Sequence, residues 1–199
     1  MTRDDLRFQQ IYEDYHARIF RYLSRMAGER DAEDLTQEVF IKVGLSLESF
    51  RGDSKVTTWI YRIANNTALD GFRRASARDG NGGRVSDNSS QEDDENQDEG
   101  ISLETSEGEQ RVIRQEMNGC IRSIIGGLPE SYRSVIILSE LEEMRDNEIA
   151  EILGISLQSA KIRLHRARAR LRRELKKACV LYHDERNELA CDRKPTDGD

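Results

Sequence analysis

The sequence predicts an all-α fold: two small helical domains joined by an acidic flexible linker, the C-terminal one containing a helix-turn-helix. Three observations predict it. Apolar residues recur at helical spacing in two blocks, one before residue 78 and one after residue 111. Between the blocks, residues 79–110 hold eleven acids against one arginine, a net of −10, among many Gly, Ser and Asn. Such a stretch buries too little apolar surface to offset the entropy of ordering it, so it reads as a linker. Finally, from Asp146 to Lys177 two helical patterns meet at a glycine. Only 36% of the 199 residues are hydrophobic and 35% are charged, which excludes a large single core.

The first block, residues 6–78, divides into three helices. Phe8, Ile11, Tyr12, Tyr15, Ile19, Tyr22, Leu23 and Met26 form one stripe, and Gly28 stops it. Asp31 is placed to cap a second helix, on which Leu35, Val39, Val43 and Leu47 recur four apart. Its early acids, Glu33, Asp34 and Glu38, suit the positive end of a helix dipole. The turn-forming loop FRGDS (50–54) precedes a third helix carrying Trp59, Ile60, Ile63, Ala64 and Thr67. From Phe50 to Arg78 the net charge is +4, and Trp59, Tyr61 and Phe72 are interleaved with Arg62, Asn65, Asn66 and Arg73. Aromatics beside cations and amides can hold unstacked bases, although a tryptophan is more often a core residue.

The second block resumes helix near Arg111 and is broken at Leu128-Pro129-Glu130, proline being tolerated in a first turn. The helix after it offers Tyr132, Val135, Ile136, Leu138 and Leu141 as a core. Asp146 then opens a short helix with Ile149, Ala150 and Leu153 inward, and Gly154 closes it through a left-handed conformation. Ser156 caps the next helix, whose inward face is Ala160, Leu164, Ala167 and Leu171. Gln158, Ile162, His165, Arg166 and Arg173 project opposite, and residues 157–177 carry a net of +8. Small residues at 150 and 160 let the two helices approach. This is the geometry that lays a second helix in the major groove of DNA.

The overall net charge of −7 argues against a nucleic-acid binder until its segregation is seen. Three scattered cysteines make no disulfide framework, and no apolar run reaches membrane-spanning length. The expected location is the cytoplasm, with no membrane partner. Neither a nucleotide-binding loop nor a Ser/His/Asp set nor a paired-carboxylate site is recognisable, so the expectation is a binding protein without enzymatic activity or cofactor.

DAEDLTQEVFIKV followed by FRGDSKVTTWIYRIANNTALDGFRR resembles the second conserved region of bacterial sigma factors. LPESYRSVIILSELEEMRDNEIAEILGISLQSAKIRLHRARARL resembles their fourth region. Two regions separated only by a linker resemble the extracytoplasmic-function group. The resemblance implies a dissociable RNA polymerase subunit that selects promoters and starts strand opening. It implies docking of Asp31, Asp34, Gln37, Glu38 and Phe40 on the clamp helices of the largest polymerase subunit, and of the fourth region near the flap. Lys55, Val56, Trp59, Arg62, Asn65 and Asn66 fall where such proteins read and capture the opened −10 strand. Ser159, Lys161, Ile162, Arg163, His165 and Arg166 fall on the helix that reads the −35 duplex; Lys161 lies on the flank, suited to phosphate. An anti-sigma protein is a further partner that the resemblance allows.

Residues 178–199 extend past the resemblance. Cys179 and His183 would share a face if helical, and Cys191 follows, so either a zinc or redox site or a helical tail with incidental thiols is open. A stand-alone helix-turn-helix regulator, with residues 6–78 sensing or dimerising, is the alternative function. A nucleic-acid enzyme lacks any metal-carboxylate cluster to support it.

Overall fold

The structure, a computed structural model, describes residues 3–52, 54–78, 119, 121–183 and 189–193. The linker expected over 79–110 and the helix expected near Arg111 lie outside them.

Three helices make the first half: α1 (Arg3–Ala27), α2 (Glu29–Ser46) and α3 (Val56–Arg78). The turn between α1 and α2 is a single residue. Gly28 sits at φ 91°, a value that L side chains avoid, and its N–H closes α1 on Ser24 O at 3.0 Å. Helix α2 therefore starts before Asp31, which lies inside its first turn and makes no cap; glycine geometry decides the start. The stripe Leu35, Val39, Val43 and Leu47 is buried as its spacing predicts. Each such side chain stabilises the fold by about 1.5–3 kcal/mol. Against it pack Ile19, Tyr22, Leu23 and Met26 of α1 and Ile60, Tyr61, Ala64 and Ala68 of α3.

In the second half the described residues 119 and 121–126 are helical (α4), and the chain continues through α5 (Glu130–Ile136) into a π-helical segment, Ile137–Leu141. Five consecutive residues, Ser134 to Leu138, are buried, which no one-sided helix allows. The segment is enclosed instead, with α1 on one side and α6 (Asp146–Leu153) and α7 (Leu157–Ala178) on others. The expected core residue Leu141 is displaced by this widening and is 39% exposed. Helix α6 starts from Arg145, so Asp146 is its first residue rather than its cap; the Arg145 N–H is taken by the Glu148 carboxylate at 3.1 Å. Gly154 closes α6 at φ 65°, and Ile155 N–H reaches Ala150 O at 3.0 Å.

Where residues of the tail beyond Ala178 are described, they are extended and not helical. Strands β1 (Cys179–His183) and β2 (Leu189–Arg193) form an antiparallel ribbon on the end of α7. It is the one exception to a helical fold among the described residues. Cys179 and His183 stand at opposite ends of β1, about 13 Å apart along a strand. Cys191 pairs with Leu181, the middle residue of β1.

Candidate nucleic-acid interface

Helix α7 is held by its start. Ser156 Oγ accepts from Ser159 N–H at 3.1 Å, with the two hydroxyls 2.8 Å apart, so Ser159 serves the cap as well as lying at the surface. Ala160, Leu164 and Ala167 are buried against the rest of the second half. Lys161, Ile162, His165 and Arg166 face outward, Ile162 at 42% exposure, whereas Arg163 is half-buried. Toward the C-terminus three cations pair with acids: Arg168 with Glu140 at 2.7 Å, Arg170 with Glu174 at 3.0 Å and Lys177 with Glu174 at 3.4 Å. The outward face near the N-terminus combines a basic field with two exposed apolar side chains, Leu157 and Ile162, a combination suited to base edges in a major groove.

Helix α3 presents a second surface. Lys55, Trp59, Arg62 and Asn66 follow one another at spacings of four, three and four, hence along one stripe. Trp59 is half-buried and stacks on Phe50 at 4.6 Å between ring centroids, with the Arg7 guanidinium 5.6 Å from the Phe50 centroid. Val56 is half-buried at the start of the helix and Asn66 is exposed. Asn65 departs from expectation. It is 1% exposed and accepts the Tyr22 hydroxyl at 3.1 Å, so it braces α3 against α1 instead of facing a base. Tyr61, grouped by sequence with the base-holding aromatics, is fully buried edge-to-face with Tyr22.

The third surface lies on α2. Asp31, Asp34 and Gln37 are exposed, while Glu38 is half-buried between Lys42 at 2.9 Å and Arg74 at 2.8 Å. Those hydrogen bonds, from Arg74 first and Lys42 second, hold the Glu38 carboxyl below its ordinary range. Phe40 is 4% exposed and touches Tyr12 and His16, so its part in any docking surface is as a support from behind.

Sequence reasoning missed the groups that join the two halves. Glu142 accepts from Arg25 at 2.8 Å and from the Tyr61 hydroxyl. Arg133 donates to Met26 O at 2.6 Å and to Gly126 O and Leu128 O, and lies 5.4 Å from the Phe72 centroid. Burial lowers the guanidinium's affinity for its proton. Lys55 reaches Glu148 at 2.7 Å, and Arg62 gives Nε and Nη2 to Glu151 O at 3.0 and 2.6 Å. No periodicity encodes partners 81 to 117 residues apart.

Fold and surfaces together define a class: a helical, helix-turn-helix DNA-binding protein with a second basic, aromatic-bearing helix in a separate half. Residues 11–78 match Sigma-70 region 2 and residues 118–171 match Sigma-70, region 4. RNA polymerase sigma factor YlaC of Bacillus subtilis is 34% identical over 172 residues, covering 85% of this chain and 92% of that protein. The ECF sigma factor SigW of the same organism is 32% identical, covering 85% and 89%. The ECF sigma-E factor of Escherichia coli K12 is 33% identical, covering 83% and 84%. Among solved structures, RpoE of Bartonella quintana in complex with the anti-sigma factor NepR shares the fold. Its TM-score is 0.61 at 21% identity, covering 85% of this chain and 96% of that one. CnrH in complex with the cytosolic domain of CnrY has a TM-score of 0.58 at 24% identity, covering 85% and 88%. The chain belongs to the sigma-70 family, in its extracytoplasmic-function group, whose members direct promoter-specific initiation of transcription.

Proposed function

We propose that this chain acts without catalysis of its own, binding core RNA polymerase in the cytoplasm and supplying it with promoter choice. Residues 6–78 form the unit that docks on polymerase and captures the −10 strand, and residues 111–177 form the unit that reads the −35 duplex. Residues 79–110 connect them and 178–199 are an extension. Exposed Asp31, Asp34 and Gln37, with half-buried Glu38 beside them, offer the clamp helices an acidic face. Lys55, Val56, Trp59, Arg62 and Asn66 receive the opened strand. Lys161, Ile162, His165 and Arg166 enter the major groove, with Ser159 and Arg163 at its border. The solved relatives RpoE and CnrH are bound to an anti-sigma factor and to a cytosolic domain respectively, which supports a protein partner that restrains this chain too.

The outward face of α7 beside a separate −10-type helix carries this reading, because duplex and single strand are read by different chemistry. Base edges in the major groove distinguish every pair, while unstacked bases need pockets and stacking surfaces. Reconstitution tests it: core polymerase plus this chain should yield transcripts from particular start points. Uniform initiation, or sequence-specific duplex binding as a dimer without polymerase, would instead point to a stand-alone regulator.

A further inference from the structure

Where the last turns of α1 meet α4 and the π-helical segment, the chain leaves a cleft of about 570 Å³. Small-molecule sites commonly span about 300–1,000 Å³ and concentrate at junctions between domains. Four arginines stand on its walls: Arg21 and Arg25 from α1, Arg122 from α4 and Arg133 from α5. Against them the lining carries one carboxylate, Glu29. Arg21 and Arg25 lie four apart on one face of α1, a spacing at which like charges repel. Glu142 relieves Arg25. Exposed Arg21 and Arg122 pair with no acid among the described residues. The described acceptors of Arg133 are all carbonyls, and its buried Nε has none.

The same cleft has an apolar side. Phe20 of the first half and Leu141 of the second line it, 36% and 39% exposed, with Met26 and Ile125 buried behind them. Leu141 is the side chain that the π-helical widening moves out of the core. Exposed apolar groups beside unpaired guanidinium groups suit an occupant that is itself part apolar and part anionic. None of these residues belongs to the docking, −10 or −35 surfaces described above.

We propose that this cleft is a binding site for a small aromatic phosphate of nucleotide size, its ring against Phe20 and Leu141 and its phosphate on Arg21 and Arg122. Guanidinium groups match phosphate oxygens through paired hydrogen bonds, and such charge-assisted bonds are the strong kind. Four cations against one acid favour a doubly charged head over a single carboxylate. Arg25 and Arg133, already held by other groups, add positive field rather than new hydrogen bonds. The walls come from both halves, so an occupant touches both at once.

The test is calorimetric titration of the full chain with 1-naphthyl phosphate. Two comparison ligands divide its chemistry: 1-naphthol keeps the ring and inorganic phosphate keeps the head. One molecule of 1-naphthyl phosphate should bind per chain, and each comparison ligand should bind at least about tenfold more weakly. Arg21→Met with Arg122→Met should weaken 1-naphthyl phosphate by about tenfold or more, as loss of charge-assisted hydrogen bonds predicts. Phe20→Ser should weaken it too, while leaving inorganic phosphate unaffected. A control, Arg7→Met with Arg51→Met, removes equal charge at exposed sites outside the cleft and should change nothing. All the substituted side chains lie at the surface, and circular dichroism checks that each variant folds. Absence of binding overturns the proposal. So does inorganic phosphate binding as well as 1-naphthyl phosphate, or the control weakening binding as much as the cleft variant. A single-stranded oligonucleotide without a terminal phosphate should not displace the ligand. Displacement would assign the arginines to nucleic acid and overturn the proposal as well.

Discussion

At the scale of single residues, exposure decides which candidates can act. Two amides adjacent in sequence have opposite fates: Asn65 bonds Tyr22 in the core, and Asn66 faces out. Loss of Asn65 would leave a buried tyrosine hydroxyl without its partner, a folding defect that costs about 1–3 kcal/mol and says nothing about DNA. On α7 the same logic selects Arg166, which lies one helical turn beyond exposed Ile162 and beside His165. Truncation of Arg166 to Ala is expected to cost about 1–3 kcal/mol of −35 duplex affinity and to relax base preference at one position. Competition binding against single-base variants of the preferred element checks this. A uniform loss across all variants would mark Arg166 as a phosphate contact instead.

At the scale of elements, α3 should work in strand opening rather than in docking on polymerase. Asn66→Ala is expected to slow opening while leaving affinity for core polymerase unchanged, and a template with a pre-melted −10 bubble should restore most transcription. Permanganate reactivity of the bubble thymines reads the opening directly; equal loss on both templates would mean lost base recognition. What the sequence revealed of these elements follows from physics of short range. The α2 stripe, the Gly154 turn and the Ser156 cap each depend on neighbours within one or two turns, and all three are where the pattern puts them. Asp31 and Asp146 did not become caps, because a positive-φ glycine and the Arg145–Glu148 contact start those helices earlier and differently. The tail misled for another reason. Spacing of four fits one face of a helix and one face of a strand equally, and only pairing of β1 with β2 decides between them.

At the scale of the whole molecule, the halves meet through charges that differ in exposure, and this gives closure a measurable signature. The Lys55 side chain is 72% exposed, so its pair with Glu148 is screened by salt and contributes about 0–1 kcal/mol. Glu142, at 6%, is shielded, so added salt alone should leave the chain compact. Glu148 makes a better reporter than a lock. Its carboxyl is held below the ordinary glutamate value of about 4.5, first by the Lys55 hydrogen bond and then by the Arg145 N–H. A depressed folded value means that this stabilisation is complete above the ordinary value and is lost as pH falls through the lower one. The two causes lie in different halves. Lys55 belongs to the first half and is present only when the chain is closed, whereas Arg145 belongs to the second and stays with Glu148 in any state. In wild type, carboxyl NMR should therefore show Glu148 titrating below the ordinary glutamate value. Glu142→Gln should move it part of the way back, leaving the share due to Arg145, and Lys55→Met should move it by the same amount. If Glu142→Gln leaves the Glu148 titration where it was, the halves stay together without Glu142, and closure is carried by Arg133 and the apolar contacts around Met26.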